Sequence, residues 1–94
     1  MIIGVLTISL HIPASNYLKE KRRHLNALRA KLASNFNVSV AEVDERDKWQ
    51  KAVMAIVHVG ITKPVVNSVI SHIIAYIEQL NFVNVINYET ELIA

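Results

Sequence analysis

Two amphipathic helical segments set among four runs of alternating apolar residues, two of those runs apolar on both faces, predict an α+β domain of order β-α-β-β-α-β. The 94 residues allow one domain, 1–94, with a single core. Apolar side chains make up 52% of the chain against only two glycines and two prolines, so the composition is that of a tightly built globule with no length to spare for a linker.

Residues 2–12 alternate with Gly4, Leu6, Ile8, Leu10 and Ile12 on one side and Ile3, Val5, Thr7, Ser9 and His11 on the other, as a pleated strand requires. The second side is apolar at its start and polar towards its end, which suits a central strand whose far face is open. Pro13 stops it. Over 15–36 the apolar stripe Leu18, Leu25, Leu28, Leu32, Phe36 has helical spacing, with Ser15 or Asn16 expected as the cap. Residues 38–43 read as a second strand whose alternation slips phase, which a β-bulge or an edge position explains. The charged stretch DERDK, 44–48, then has the length of a hairpin connection. Residues 49–61 form a third strand, apolar on both faces and therefore also central. Thr62 caps a second helix with Pro64 in its first turn, and Val66, Val69, Ile70, Ile73, Ile74, Ile77 and Leu80 supply its buried side. Residues 82–93 close the chain as a strand with Ile86, Tyr88 and Leu92 in phase and Asn87, Glu89 and Glu91 opposite.

This order is the split βαβ, or ferredoxin-like, pattern: a four-stranded antiparallel sheet with two helices on one face and the first and third strands central. Composition alone selects the same two strands as central. The other sheet face is then uncovered, with Ile3, Val5 and either Ala52, Met54 and Ile56 or the set offset by one. Apolar area of that kind suggests a homodimer through the sheet face.

Without cysteine there are no disulfides, thiolate metal sites or cysteine nucleophiles. The apolar opening lacks a basic leader, and charged or polar residues interrupt every longer apolar run, so the expectation is a cytoplasmic protein with no membrane span. Net charge is +2, but residues 1–40 carry +5 and residues 41–94 carry −3. The positive end is concentrated in the first helix: Lys19, Lys21, Arg22, Arg23, Arg29 and Lys31 stand against Glu20 alone.

Such a helix neutralises phosphates, giving affinity without sequence preference; the same residues also serve merely as a solvated face. A sheet that reads RNA bases carries stacking aromatics on its central strands, and here those strands read IIGVLTISL and AVMAIVHVG. The contact expected is therefore with phosphate. Glu42, Asp44, Glu45, Asp47, Trp49 and Gln50 gather carboxylates near an indole, read as a solvated hairpin with Trp49 as a lid on the core. His11, His24, His58 and His72 lack ligand spacing, so no metal or other cofactor is expected. The connection His11-Ile12-Pro13-Ala14-Ser15-Asn16 has no glycine to form the anion nest of an acylphosphatase-like site. No nucleophile with base and oxyanion hole is present, which points away from an enzyme.

Several linked stretches resemble the YlxP-like family of small bacterial proteins: Met1-Ile2-Ile3-Gly4-Val5-Leu6, His11-Ile12-Pro13, Leu18-Lys19-Glu20-Lys21-Arg22-Arg23, Phe36-Asn37-Val38-Ser39-Val40-Ala41-Glu42-Val43-Asp44, and then Asp47, Trp49 and Gln50. After Ile61 the likeness is one of pattern. Tyr17 stands where the family has a capping Ser, and Lys48 where it has an apolar residue before Trp49. The resemblance implies a ferredoxin-like fold and, from the company its genes keep, a link to translation initiation and ribosome maturation. Together with the basic helix, it leads to the expectation of a non-enzymatic accessory protein binding ribosomal RNA or a ribosomal subunit. The alternative expectation is a homo-oligomeric structural or regulatory domain that uses its apolar sheet face and binds no nucleic acid.

Overall fold

A computed structural model describes residues 1–94 as β1 (Ile2–His11), α1 (Leu18–Asn35), β2 (Ser39–Asp44), β3 (Lys51–Gly60), α2 (Lys63–Glu78) and β4 (Asn84–Ile93). The sheet is antiparallel in the order β2-β3-β1-β4, so the two strands with apolar residues on both faces are the inner ones. This is the ferredoxin-like α+β fold.

β1 is the clearest case of pattern becoming structure. Its buried and half-buried residues alternate without interruption, and Leu6, Ile8, Leu10 and Ile12 are wholly inaccessible. On β3 the buried set is Ala52, Met54 and Ile56, which leaves Val53, Ala55, Val57 and Val59 for the other side. Cross-strand pairing places Val59 beside Ile3, Val57 beside Val5 and Ala55 beside Thr7, with Ile93, Glu91 and Glu89 of β4 next along the same rows. The uncovered face thus has an apolar middle and an acidic margin. At 18 Å, the shortest dimension of the molecule fits one helical layer on one sheet.

α2 sits close against the sheet because the only two glycines lie beneath it. A Cβ on Gly4 would come within 2.5 Å of Val66 Cγ1 and 2.7 Å of Ile70 Cδ1, and one on Gly60 within 2.7 Å of Val66 Cγ2. Neither glycine has a positive φ, so both are present for space, not for backbone freedom. Val66, Ile70, Ile73 and Ile77 form the buried stripe, while Val69, Ile74 and Leu80 are half-buried at its margins. Thr62 caps this helix as expected, its Oγ1 accepting from the Val65 N–H at 3.4 Å.

α1 starts later than its sequence suggests. Its N-cap is Tyr17, which makes no side-chain cap, in place of Ser15 or Asn16. The reason lies in the preceding turn: the Gln50 side-chain amide donates to Pro13 O and Ser15 O at 3.3 and 3.1 Å, and the Ile12 N–H donates to Gln50 O at 2.7 Å. The chain through Ser15 is tied to the β2–β3 connection and is not available to open the helix. Glu20 reaches back only to the Asn16 N–H, at 3.4 Å.

The phase slip on β2 has both of its expected causes. β2 is an edge strand, and its pairing shifts between Glu42 and Asp44, leaving Val43 as a bulge. β4 carries a second bulge that the sequence pattern does not reveal: Asn87 lies opposite Ser9 but Val85 opposite Leu10, which displaces Ile86 and breaks the expected phase of Ile86, Tyr88 and Leu92. Ile86 is accordingly about half exposed; Tyr88, still opposite Ile8, is half exposed on the edge strand.

Candidate functional site

On a helix of 100° per residue, Lys19, Arg22, Arg23 and Arg29 fall within an arc of roughly 120°. All four are exposed. Lys31 is exposed as well, but it stands roughly 80° beyond Arg23, away from the other four.

Lys21 does not belong to this surface. It is 1% exposed, and its Nζ donates to the carbonyl oxygens of Glu45 (2.9 Å), Lys51 (3.1 Å) and Arg46 (3.3 Å) while meeting Glu42 Oε2 at 2.8 Å. An ammonium has three protons, and three carbonyls take them; the carboxylate is held as an ion pair. The expectation that Lys21 contacts nucleic acid is therefore corrected: every donor it has is spent inside the protein. A signal for this was present in the sequence. The stripe Leu18, Leu25, Leu28, Leu32 skips one turn at its start, and Lys21 fills the missing position.

What Lys21 holds is the β2–β3 connection, residues 45–50. Glu45 has φ of 58°, the single non-glycine residue with a left-handed backbone, a conformation uncommon outside glycine and Asn. Asp44 Oδ1 accepts the Glu45 N–H at 2.8 Å, and Glu45 O accepts from Lys48 N–H and from Lys21. The connection is thus fastened to α1 through Lys21 and to the β1–α1 turn through Gln50.

One product of this fastening is a groove of about 390 Å³ between α1 and the edge strand β2, in which Arg46 joins Arg22 and Arg29. Leu25 and Val40 supply part of its lining. None of the three guanidiniums has a carboxylate within ion-pair distance; Glu42, in the same groove, is held by Lys21. Arg29 donates to Asn26 Oδ1 at 3.1 Å, and Arg23 makes only a loose contact with Glu20 at 3.8 Å. Arg46 lies in an acidic stretch of the sequence, so charge clustering does not single it out; only the fold brings it to the helix.

The acidic corner disperses. Glu42 pairs with Lys21, Asp44 turns to its own backbone, and no three His, Asp or Glu side chains converge as metal ligands would. His58 Nδ1 lies 2.8 Å from Asn37 O, and His24 stacks on Phe82 with ring centroids 5.7 Å apart. Trp49 is not a lid on the core. β3 begins only at Lys51, and the indole, in the connection before it, is 57% exposed.

A family model described as "Protein of unknown function (DUF503)" matches residues 3–90. The chain belongs to this family. The match runs from the first residues of β1 into β4, so the likeness that the sequence motifs suggest up to Ile61 extends through the second half of the fold. The chain is also similar to the "Uncharacterized protein YlxP" of Bacillus subtilis (strain 168), with 28% identity over 76 residues that cover 81% of this chain and 83% of that protein. No helix is long and apolar enough to cross a membrane.

Proposed function

We propose that this DUF503 member is a non-catalytic accessory protein of translation or ribosome maturation that binds RNA through Lys19, Arg22, Arg23 and Arg29 of α1 and through Arg46. The observation that carries the reading is the convergence of Arg22, Arg29 and Arg46 on one groove, none of them in an ion pair, with Lys19 and Arg23 beside them on the helix. A solubilising face needs charge but not convergence; a phosphate-binding face needs both. The open side of the sheet has no aromatic residue on its central strands, so this contact runs to phosphate and to the shape of the RNA. Five cations give a slope of log K against log salt of roughly −3.5 to −4.5. Titration of the protein into a structured ribosomal RNA fragment across a salt series tests this. Charge reversal of Arg22 and Arg23 together lowers the affinity and flattens the slope; affinity unchanged by the reversal, or insensitive to salt, contradicts the mechanism.

A second reading, self-association, is favoured by the uncovered sheet face, where Ile3, Val5, Val53, Val57, Val59 and Ile93 share one side. It uses the opposite side of the molecule and is compatible with the first. Sedimentation at micromolar concentration gives a dimer on this reading; a strict monomer contradicts it.

A further inference from the structure

Trp49 is the one tryptophan of the chain, and the protein holds its loop firmly while leaving the indole in solvent. The connection 45–50 is fixed by contacts from the buried Lys21 to two of its carbonyls, Glu45 O and Arg46 O, and to Lys51 O at the start of β3, by the left-handed turn at Glu45 and by the two-way link between Gln50 and the β1–α1 turn. The Trp49 side chain is 57% exposed and borders an open pocket of about 370 Å³ with Lys48, Lys51, Asp47 and Gln50.

We infer that Trp49 is a stacking platform for an unpaired nucleobase, on a single-stranded segment whose phosphates lie along Arg46 and the α1 groove. This rests on the RNA reading above and adds what it lacks, a group that distinguishes single strand from duplex. Continuity supports it. Arg46 and Trp49 are three residues apart on one tethered loop, so their Cα atoms are within roughly 11 Å, a span that a short strand can bridge. Charge supports it too: Lys48 and Lys51 flank the indole, with Asp47 the only carboxylate in the pocket lining. Every base presents a π-face, so the preference is for strandedness and not for sequence.

Because Trp49 is the sole tryptophan, its fluorescence reports on itself. Intact protein is titrated with a short oligoadenylate and with a blunt RNA duplex of the same length, and affinity is measured in parallel by anisotropy. The single strand quenches Trp49 and the duplex does not. Trp49→Ala weakens single-strand binding by roughly five- to 150-fold, Trp49→Phe retains most of it, and neither changes duplex affinity. Single-strand binding without quenching, with affinity untouched by Trp49→Ala, overturns the stacking role and leaves the phosphate contact standing. Equal quenching by duplex also overturns it, and absence of binding to either RNA removes both readings. A concentration-dependent blue shift of the emission without RNA places Trp49 in a contact between protein molecules and overturns the inference as well.

Discussion

The two helices have the same topological role, each a crossover laid on the same sheet face, and they are built on opposite principles. α2 is joined to the sheet by aliphatic contact alone: a stripe of Val66, Ile70, Ile73 and Ile77 set down on two glycines. α1 has three leucines in its stripe and a lysine in the fourth buried place, and it reaches past the sheet to grip the backbone of a neighbouring connection. One helix packs. The other packs and also fastens the loop that brings Arg46 and Trp49 to the molecular surface. A position in the core can thus serve the exposed surface beside it.

Removing the lysine has the largest effect. Lys21→Ala leaves Glu42 and three carbonyls without their cation and lowers stability by about 3–5 kcal/mol, measured by urea unfolding. The double substitution Lys21→Met with Glu42→Gln costs less than the sum of its two parts, because the second change removes the stranded charge. Additivity in that cycle would mean the pair is not coupled.

For α2 the sensitive quantity is space. Gly4→Ala drives a methyl into Val66 and Ile70 and lowers stability by about 1–3 kcal/mol, and Val66→Ala in the same chain recovers part of the loss. A neutral Gly4→Ala would show that α2 can lift away from the sheet.

The smallest effects are at the helix starts and have opposite signs. Thr62→Ala removes the cap of α2 and costs about 1 kcal/mol. Tyr17→Ser supplies the cap that α1 lacks, with Glu20 three residues on to complete a capping box, and raises stability by a similar amount. Equal shifts of the same sign would mean that the two helix starts do not differ in the way described.

The fold is legible because its evidence is periodic: β1 alternates without a break, and both helix stripes repeat every third or fourth residue apart from the one turn that α1 skips. Features that depend on a single residue meeting something distant were harder to read. Lys21 looks like its neighbours in a basic run, and only the missing turn of the leucine stripe betrays it. Arg46 is hidden among acids, because the charge of a loop says nothing about which helix it faces. Trp49 invites burial by its hydrophobicity, but β3 begins two residues later. The bulge at Ile86 leaves no mark, since both phases of β4 offer apolar residues.

On the proposed function, Lys19, Arg22, Arg23, Arg29 and Arg46, and not the buried Lys21, bind RNA of the translation apparatus. Co-sedimentation with ribosomal particles across a salt series tests it most directly, comparing the intact protein with Arg22→Glu/Arg29→Glu/Arg46→Glu. The intact protein pellets with the particles at low salt and is released as salt rises, while the variant, folded by circular dichroism, stays in the supernatant throughout. Pelleting of the variant on the same salt profile as the intact protein would contradict the account.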